Sequence, residues 1–251
     1  MPEKDSKQPV DNSRRNFLKN SGFALGGLIV GGVIGGSLTG QKEATTKEAE
    51  KVVEKPVDYN KALMFFNQEQ FQTTEAAVEC IFPQDEHGPG AKELGVAYYI
   101  DHQLASPWGI NAKDYMQGPF YKGSATQGMQ SPLRRAEIFT IGLQGLNTYS
   151  QQKYNKKFAE LSEAEHEEVL TVFEEGKEFQ LTGTTTKEFF KMLRSLTLEG
   201  VYADPMYGGN KDMQGWKMRK YPGNQMGYAK DIEKEEFMTI EPKSLHDHMG
   251  H

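Results

Sequence analysis

The chain has 251 residues, a formal net charge of -6 and a single cysteine, Cys80. The negative charge gives no reason to expect a nucleic acid as a partner, because phosphate binding needs a basic face. One thiol forms no intrachain disulfide and holds no cysteine-ligated iron–sulfur cluster, and the absence of Cys-x-x-Cys-His excludes covalent c-type haem.

Residues 1–40 have the pattern of an export signal. Arg14 and Arg15 are followed by Phe17 and Leu18, and then by an apolar, glycine-rich run over residues 21–38. Adjacent arginines, a Phe-Leu pair and a weakly hydrophobic run resemble a twin-arginine (Tat) signal, read by the Tat translocase. A plain transmembrane anchor is the alternative, since the run is about long enough to cross a bilayer. No clean Ala-x-Ala cleavage site follows, so a cleaved signal and a retained anchor both stay open.

Composition changes twice after the signal. Residues 41–57 are charged and have few large apolar side chains, which is typical of a solvated linker. Aromatic content then rises, and residues 58–251 are predicted to form one folded domain that ends in an irregular tail. No alternating strand pattern of useful length occurs, so the predicted class is all-α, a small irregular helical domain with long aromatic and glycine-rich loops.

Helix signals divide this domain into segments. The first two predicted helices cover residues 75–82, capped by Thr73 or Thr74, and residues 91–104. The longest helix is predicted to start at Pro132 with Ser131 as its cap, and the capping box of Ser162 and Glu165 is predicted to start the next. The final helix is predicted over residues 187–198, capped by threonines 184–186. Residues 106–130 form a long aromatic loop, and a loop of this length favours a functional surface.

Isolated reactive groups have plain structural interpretations. Cys80 shares a helix face with apolar residues, which favours a small buried side chain over a reactive thiol. The loop at residues 85–87, His102, His166 among glutamates, and the histidines of the tail each have a metal-binding or catalytic alternative. The interpretations favoured are a solvated loop at 85–87, a surface or packing histidine at His102, a solvated helix face at His166 and a disordered tail.

Residues 197–223 are the most distinctive stretch of the chain. Glycines alternate there with tyrosine, tryptophan and polar residues. Glycine permits tight turns, while Tyr and Trp offer large apolar faces with a polar handle. The mixture predicts an ordered loop that presents a surface, rather than a helix or a strand. Asp204, Asn210 and Asp212 do not have EF-hand spacing, and Gly208-Gly209 lacks the βαβ context of a dinucleotide loop.

Several short motifs lie between residues 66 and 223. They are IFPQD at 81–85, GPGA at 88–91, GV at 95–96, YID at 99–101, QSPL at 130–133, ADPMYGGNKD at 203–212, GWK at 215–217 and YPG at 221–223. Together they resemble the gluconate 2-dehydrogenase subunit 3 family, and the motif at 203–212 is long and specific. The charged linker, the glycine-rich leader and the histidine-bearing tail depart from many relatives.

The resemblance implies a small, cofactor-free subunit of a membrane-associated, flavin-dependent dehydrogenase that acts on sugars or sugar acids. The large subunit, of glucose–methanol–choline oxidoreductase type, carries FAD and abstracts the hydride. It typically lacks its own signal and is thought to cross the membrane with its small partner. In some members a multihaem cytochrome c subunit passes electrons on to quinone. The expected location is the outer face of the cytoplasmic membrane.

On this interpretation residues 197–223 dock the flavoprotein, with aromatic anchors and with glycines that let the backbone lie close to the partner. The predicted interface residues are Tyr202, Asp204, Tyr207, Gly208, Gly209, Asn210, Asp212, Trp216 and Tyr221. No catalytic, cofactor-binding or metal-binding residue is predicted in this chain. Two alternatives stay open: a self-sufficient enzyme that uses Asp204, Asp212 or a histidine, and a surface-anchored binding module without a redox partner.

Overall fold

The computed structural model describes residues 61–121, 123–124, 126–128, 130–229 and 231–249. The export signal and the linker predicted for residues 1–57 lie outside the described residues. The described part is all-α, as predicted, with two isolated β-bridges and no strand. Every helix in these ranges is too short or too polar to cross a bilayer.

Six α-helices make up the described part. They are α1 Gln68–Ile81, α2 Val96–Ala105, α3 Arg135–Tyr154, α4 Glu163–Glu175, α5 Thr186–Tyr202 and α6 Gln214–Met218. Short 3-10 helices lie at Phe158–Glu160, Pro205–Tyr207, Lys211–Met213 and His246–His248. No helix falls within the described residues between α2 and α3, so the long loop predicted at 106–130 is confirmed.

The first helix starts earlier than predicted. Asn67 caps α1, because its side-chain oxygen accepts a hydrogen bond from the Gln70 N–H at 2.9 Å. The Gln70 side chain returns the contact by accepting from the Asn67 N–H at 3.0 Å. Thr73 and Thr74 therefore lie inside the helix, where both are buried. The side-chain amides of Asn67 and Gln70 form this capping box, whereas the sequence prediction considered only threonines as caps.

The next two helices start later than predicted. Residues 91–95 form turns, so α2 begins only after Gly95, whose φ is 73°. α3 begins at Arg135 and not at Pro132, because the Glu137 carboxylate accepts from the Arg134 N–H at 2.7 Å. The Asn111 side chain accepts from the Arg135 N–H at 2.9 Å and ties this start to the preceding loop.

The caps predicted for the two following helices are confirmed. At α4 the Glu165 carboxylate accepts from the Ser162 N–H at 2.8 Å. At α5 the Thr185 hydroxyl accepts from the Glu188 N–H at 3.1 Å. α5 continues to Tyr202, so the beginning of the stretch predicted to be non-helical is helical. A further short helix, α6, lies inside that stretch.

α5 is the central element, since it packs against α1, α2, α3 and α4. Phe189 of α5 is fully buried and meets Phe139 of α3 edge-on, with ring centroids 5.3 Å apart. On its other side it meets Phe173 of α4 at 6.1 Å. These aromatic rings fill the middle of the core and leave the C-terminal end of α5 to carry the glycine-rich stretch.

The chain enters the domain through a buried carboxylate. Asp101 of α2 is fully buried. It accepts backbone hydrogen bonds from Met64, Phe65 and Phe66 at 2.6, 3.0 and 2.6 Å. A carboxylate inside a protein needs such donors, because burial without them is costly. Asp101 thereby positions the first described residues against α2.

Candidate functional site

The glycine-rich stretch after α5 is ordered by its own hydrogen bonds. We refer to residues 203–223 as the turn segment. Asp204 caps its first 3-10 helix by accepting from the Met206 N–H at 3.0 Å, and Pro205 occupies the first helical position. The backbone N–H of Lys211 donates to the carbonyl of Leu94 at 3.1 Å. The turn segment is therefore attached to the region that leads into α2.

Asn210 joins the two halves of the turn segment. Its side chain is fully buried, and its φ of 47° lies in the left-handed region, which Asn tolerates better than most residues. The amide donates to the carbonyl of Ala203 at 2.7 Å and accepts from the Gly215 N–H at 2.8 Å. Asn210 was predicted to contact a partner, but its side-chain groups are used inside the chain.

Trp216 also faces inward. Only 6% of its surface is exposed, and its indole N–H donates to the carbonyl of Tyr202 at 2.8 Å. Its ring meets the Tyr221 ring edge-on at 5.5 Å. The prediction treated Trp216 as an anchor reaching into a partner; in this structure it fixes the turn segment to the end of α5 instead.

The glycines serve close packing within the chain. A Cβ on Gly209 would overlap the carbonyl oxygen of Gly200, and one on Gly215 would overlap that of Val201. Gly209 and Gly215 are both buried. The prediction placed these glycines against the flavoprotein, whereas the backbone they approach is that of α5. Gly208 has a φ of 104°, where only glycine is unstrained.

Four non-glycine residues of the turn segment have positive φ angles. Asn210, Asp212, Met213 and Lys220 have φ values of 47°, 55°, 58° and 53°. Such angles are uncommon outside glycine and cost free energy, so the surrounding contacts must hold them. The turn segment is thus a shaped and partly strained structure, in agreement with the prediction of an ordered loop.

Tyrosines and an acid make up the outer side of the turn segment. Tyr207 and Tyr221 are 45% and 51% exposed, and Asp212 is exposed as well. Tyr202 is half-buried, because its ring lies between the Phe82 ring at 6.3 Å and the Arg219 guanidinium at 5.7 Å. The outward set is therefore smaller than the predicted interface.

Two clefts flank the first half of the turn segment, residues 203–212. The larger has a volume of about 690 Å³ and lies between Asp212 and the first-helix acids Glu75 and Glu79. Glu79 already accepts from the Lys92 N–H at 2.7 Å, and the Lys92 ammonium pairs with Glu75 at 3.0 Å. Charged side chains therefore line this cleft, and the Glu75 and Glu79 carboxylates have partners within the chain.

The second cleft, of about 420 Å³, has aromatic walls. Tyr99, Tyr202 and Tyr207 line it together with Glu199 and Asp204. The buried Tyr99 hydroxyl donates to Glu199 at 3.4 Å. Burial and the Glu199 charge raise the pKa of Tyr99 to about 12, so the phenol is neutral at physiological pH. Among the described residues neither carboxylate of this cleft forms a salt bridge.

The candidate metal ligands do not converge. Within the described residues no group of three or more His, Cys, Asp or Glu side chains is arranged around a common point. His87 is exposed and lies 3.7 Å from Glu86. The His102 Nε2 lies 3.0 Å from the carbonyl of Ala62. Both carboxylate oxygens of Asp204 accept backbone N–H groups, the second from Leu245 at 2.7 Å.

His166 and Cys80 are both partly buried. His166 is half-buried, with its ring 4.7 Å from the Phe158 ring and its Nε2 2.8 Å from the Phe158 carbonyl. The prediction of a solvated face is wrong for this residue, since it packs on the 3-10 helix before α4. Cys80 is half-buried against the core, and burial raises the pKa of its thiol.

The end of the chain folds back onto the turn segment, which the sequence interpretation missed. We refer to residues 224–249 as the C-terminal arm. The Asn224 N–H donates to the carbonyl of Lys243 at 2.7 Å, and Leu245 reaches Asp204 as described. Asp247 accepts from the Ser244 N–H at 2.7 Å. The Ser-x-x-Asp spacing at 244–247 was the available signal, because this spacing is typical of local capping.

Comparison with protein families identifies a relationship for most of the folded domain. A family model described as Gluconate 2-dehydrogenase subunit 3 matches residues 68–223, which is well over half of the chain. The matched region begins at the first residue of α1 and ends at the last residue of the turn segment. The C-terminal arm lies beyond it. No curated protein and no solved structure matches the chain.

Proposed function

The chain belongs to the gluconate 2-dehydrogenase subunit 3 family, and so is a subunit of an oxidoreductase complex with partner subunits; we propose that it is the non-catalytic small subunit of such a complex. In this proposal it helps a large subunit of glucose–methanol–choline type to fold, assemble and be exported. FAD and the oxidation of the CH–OH group belong to that large subunit, and a cytochrome c subunit is a further partner. Residues 1–40 direct the complex through the Tat route to the outer face of the cytoplasmic membrane.

The observation that carries the proposal is that some residues of the turn segment are buried and hold its shape, while others are exposed. Its glycines, Asn210 and Trp216 are used to hold its shape, while Tyr207 and Tyr221 remain outside. A surface ordered before binding loses less conformational entropy on association. Tyrosine is also enriched at interface hot spots, because it offers large contact area with few rotatable bonds. A preformed tyrosine surface at the end of the family match supports a docking role.

The aromatic cleft supports the same role. Tyr207 forms one wall and the Glu199 carboxylate another. Aromatic faces beside carboxylates suit a cationic side chain, which gains from both the ring quadrupole and the negative charge. A lysine or arginine of the flavoprotein fits this chemistry. The proposal therefore places the aromatic cleft at the centre of the contact.

The interface is tested by affinity measurements on the purified pair. Tyr207→Ala and Tyr221→Ala are each expected to weaken binding of the flavoprotein by about 30-fold, the effect of losing about 2 kcal/mol at a hot spot. Tyr115→Ala is the matched control on the other candidate surface, the 106–130 loop, where Tyr115 is an exposed tyrosine. Undiminished binding by both turn-segment variants, or an equal loss in the control, would contradict an interface centred on the turn segment.

The export role is tested with Arg14→Lys together with Arg15→Lys. Since twin-arginine signals depend on the arginine pair, both this chain and the flavoprotein are expected to stay in the cytoplasm. Fractionation with an antibody to each subunit measures the outcome. Continued export of the flavoprotein beside the double variant would reject the carrier role.

The absence of catalysis is tested on the purified chain alone. We expect neither cofactor absorbance nor dye-coupled oxidation of sugars or sugar acids until the flavoprotein is added. Turnover by the chain alone would support the self-sufficient enzyme. Failure to isolate any flavoprotein with the tagged full chain would favour the binding module without a redox partner.

A further inference from the structure

The C-terminal arm is a loop closed at its base. Lys243 exchanges backbone hydrogen bonds with the end of the turn segment: its N–H donates to Pro222 at 3.3 Å, and its carbonyl accepts from Asn224 at 2.7 Å. Two further hydrogen bonds hold the residues that follow. Asp204 accepts from the Leu245 N–H, and Asp247 accepts from the Ser244 N–H. The residues between Asn224 and Lys243 are therefore held at both ends on the proposed interface.

The arm presents large apolar side chains to solvent. The exposed residues from the end of the turn segment onward are Tyr221, Met226, Tyr228, Ile232, Phe237 and Met249. Ile232 is 78% and Phe237 99% exposed. Single exposed apolar side chains are ordinary, so it is their number within residues 221–249 that favours an interaction surface. We refer to residues 231–237, which carry the two most exposed of these side chains, as the crest.

The crest is also acidic. Four carboxylates surround Ile232 and precede Phe237, and they belong to Asp231, Glu233, Glu235 and Glu236. The only cation among them, Lys234, pairs with Asp231 at 2.5 Å. Insertion of Phe237 into a bilayer would bring Glu235 and Glu236 into the headgroup layer, where anionic lipids would repel them. Two copies of the chain meeting crest to crest would likewise face like charges.

The crest adjoins the proposed interface. Phe237 and Tyr221 line the same groove, of about 240 Å³, which runs between residues 217–222 and 237–242. Tyr221 belongs to the turn segment, so a partner seated there also reaches the arm. The exposed cations Lys217 and Lys220 line the same groove, so the acidic crest stands beside a basic wall. A protein surface with its own pattern of both signs fits this arrangement.

We propose that the crest is a second docking element, which seats Ile232 and Phe237 in an apolar groove with a basic rim on the flavoprotein large subunit. The inference rests on the proposed function, since it takes its partner from there. It goes beyond it because the arm lies outside the family match, which ends at Gly223. The turn segment then supplies the contact shared with the family, and the crest supplies recognition of this chain's own flavoprotein.

The test compares full-length variants for affinity to the flavoprotein isolated with the wild-type chain. Ile232→Ala combined with Phe237→Ala is expected to weaken binding about 30- to 100-fold, as for two moderate hot-spot side chains. The thermal midpoint should not move, because both side chains are exposed. Met226→Ala is the matched control, since Met226 is an exposed apolar residue of the arm outside the crest.

A charge variant tests the basic rim. Glu235→Lys with Glu236→Lys is expected to slow association at least tenfold at low salt and to remove most of the salt dependence of the association rate. An association rate that is unchanged or faster would overturn the assignment of a basic rim. Rates from surface-immobilised flavoprotein at two or more salt concentrations provide the measurement.

The outcomes separate the inference from the proposed function. If the wild-type chain binds the flavoprotein and the crest variant binds equally well, the crest is not a docking element and the proposed function stands. If the wild-type chain does not bind at all, both fail. Crest-dependent sedimentation with phosphatidylglycerol vesicles would assign the crest to the membrane. A dimer in analytical ultracentrifugation that the crest variant abolishes would assign it to a second copy.

Discussion

Replacing Trp216 distinguishes a residue that shapes the turn segment from one that touches the partner. Because its indole is buried and donates to the Tyr202 carbonyl, Trp216→Ala removes core contacts and leaves that carbonyl without its donor. Trp216→Phe keeps most of the ring volume and removes the donor alone. Tyr207→Ala is the opposite case, since Tyr207 is exposed on the outer side.

The expected magnitudes follow from this geometry. Truncating a buried Trp to Ala costs about 3–5 kcal/mol of unfolding free energy, and loss of one hydrogen bond costs about 1 kcal/mol. In a domain of this size, about 1 kcal/mol shifts the thermal midpoint by roughly 2–4 °C. Trp216→Ala should therefore lower the midpoint by about 10 °C and Trp216→Phe by about 3 °C. Tyr207→Ala should change the unfolding free energy by about 0.5–1 kcal/mol at most.

Urea unfolding followed by far-ultraviolet circular dichroism measures the three variants, and flavoprotein affinity is measured on the same preparations. We expect stability to fall in the order Tyr207→Ala, Trp216→Phe, Trp216→Ala. Affinity should fall sharply in Tyr207→Ala while its stability stays near that of the wild type. If Trp216→Ala unfolded within about 0.5 kcal/mol of the wild type, the contacts of the indole would contribute no net stability and the argument for a structural Trp216 would be refuted.

Three further predictions concern groups outside the turn segment. Asp101→Ala leaves the N–H groups of residues 64–66 without their acceptor and should cost about 3 kcal/mol or more in urea unfolding, whereas Asp101→Asn, which keeps one acceptor, should cost less. Cys80 should react with Ellman's reagent at pH 8 more slowly than free cysteine and recover the free rate in guanidinium, because its raised pKa leaves less thiolate; an equal rate in the native chain would contradict this. Tyr99 has a higher pKa in the folded state than in the unfolded one, so its contribution to stability is complete below pH 10 and is lost as the pH rises towards 12. The fall in stability over this range should be smaller in Tyr99→Phe, and an identical pH dependence in both proteins would refute the assignment.

Sequence rules that depend only on neighbouring residues predicted the helix caps that neighbouring residues form. The capping box of Ser162 and Glu165 depends on residues three apart, and it was predictable because no distant contact competes with it. The all-α class followed equally from the absence of alternating segments. The start of α1 was missed although its cause is also local, because the cap is an Asn–Gln pair and two threonines downstream offered a more familiar signal.

Burial within the turn segment was not predictable from composition. Trp216 and Tyr221 are both aromatic, they lie five residues apart in the numbering, and their rings touch, yet one is buried and the other exposed. What decides between them is the Tyr202 carbonyl at the end of α5, which accepts from the indole N–H. Contacts of this kind depend on the tertiary fold. The return of the C-terminal arm has the same origin, since Leu245 and Asp204 lie far apart in sequence.

The most specific motif of the chain therefore fixes the conformation of the turn segment, rather than supplying most of its contacts to a partner. Asn210 and Gly209 belong to the motif at 203–212 and Trp216 to the neighbouring motif at 215–217, and all three are buried against their own chain. A motif of this kind holds the exposed tyrosines in one arrangement, and the free energy for ordering them is supplied when the domain folds rather than when the partner binds. On our proposal, partner choice then depends on groups that the shape leaves free, namely Tyr207 beside the aromatic cleft and the crest. Exchanging crests between two members of the family should accordingly transfer preference for a flavoprotein, while exchanging Trp216 or Asn210 for other residues should only loosen the surface on which that preference depends.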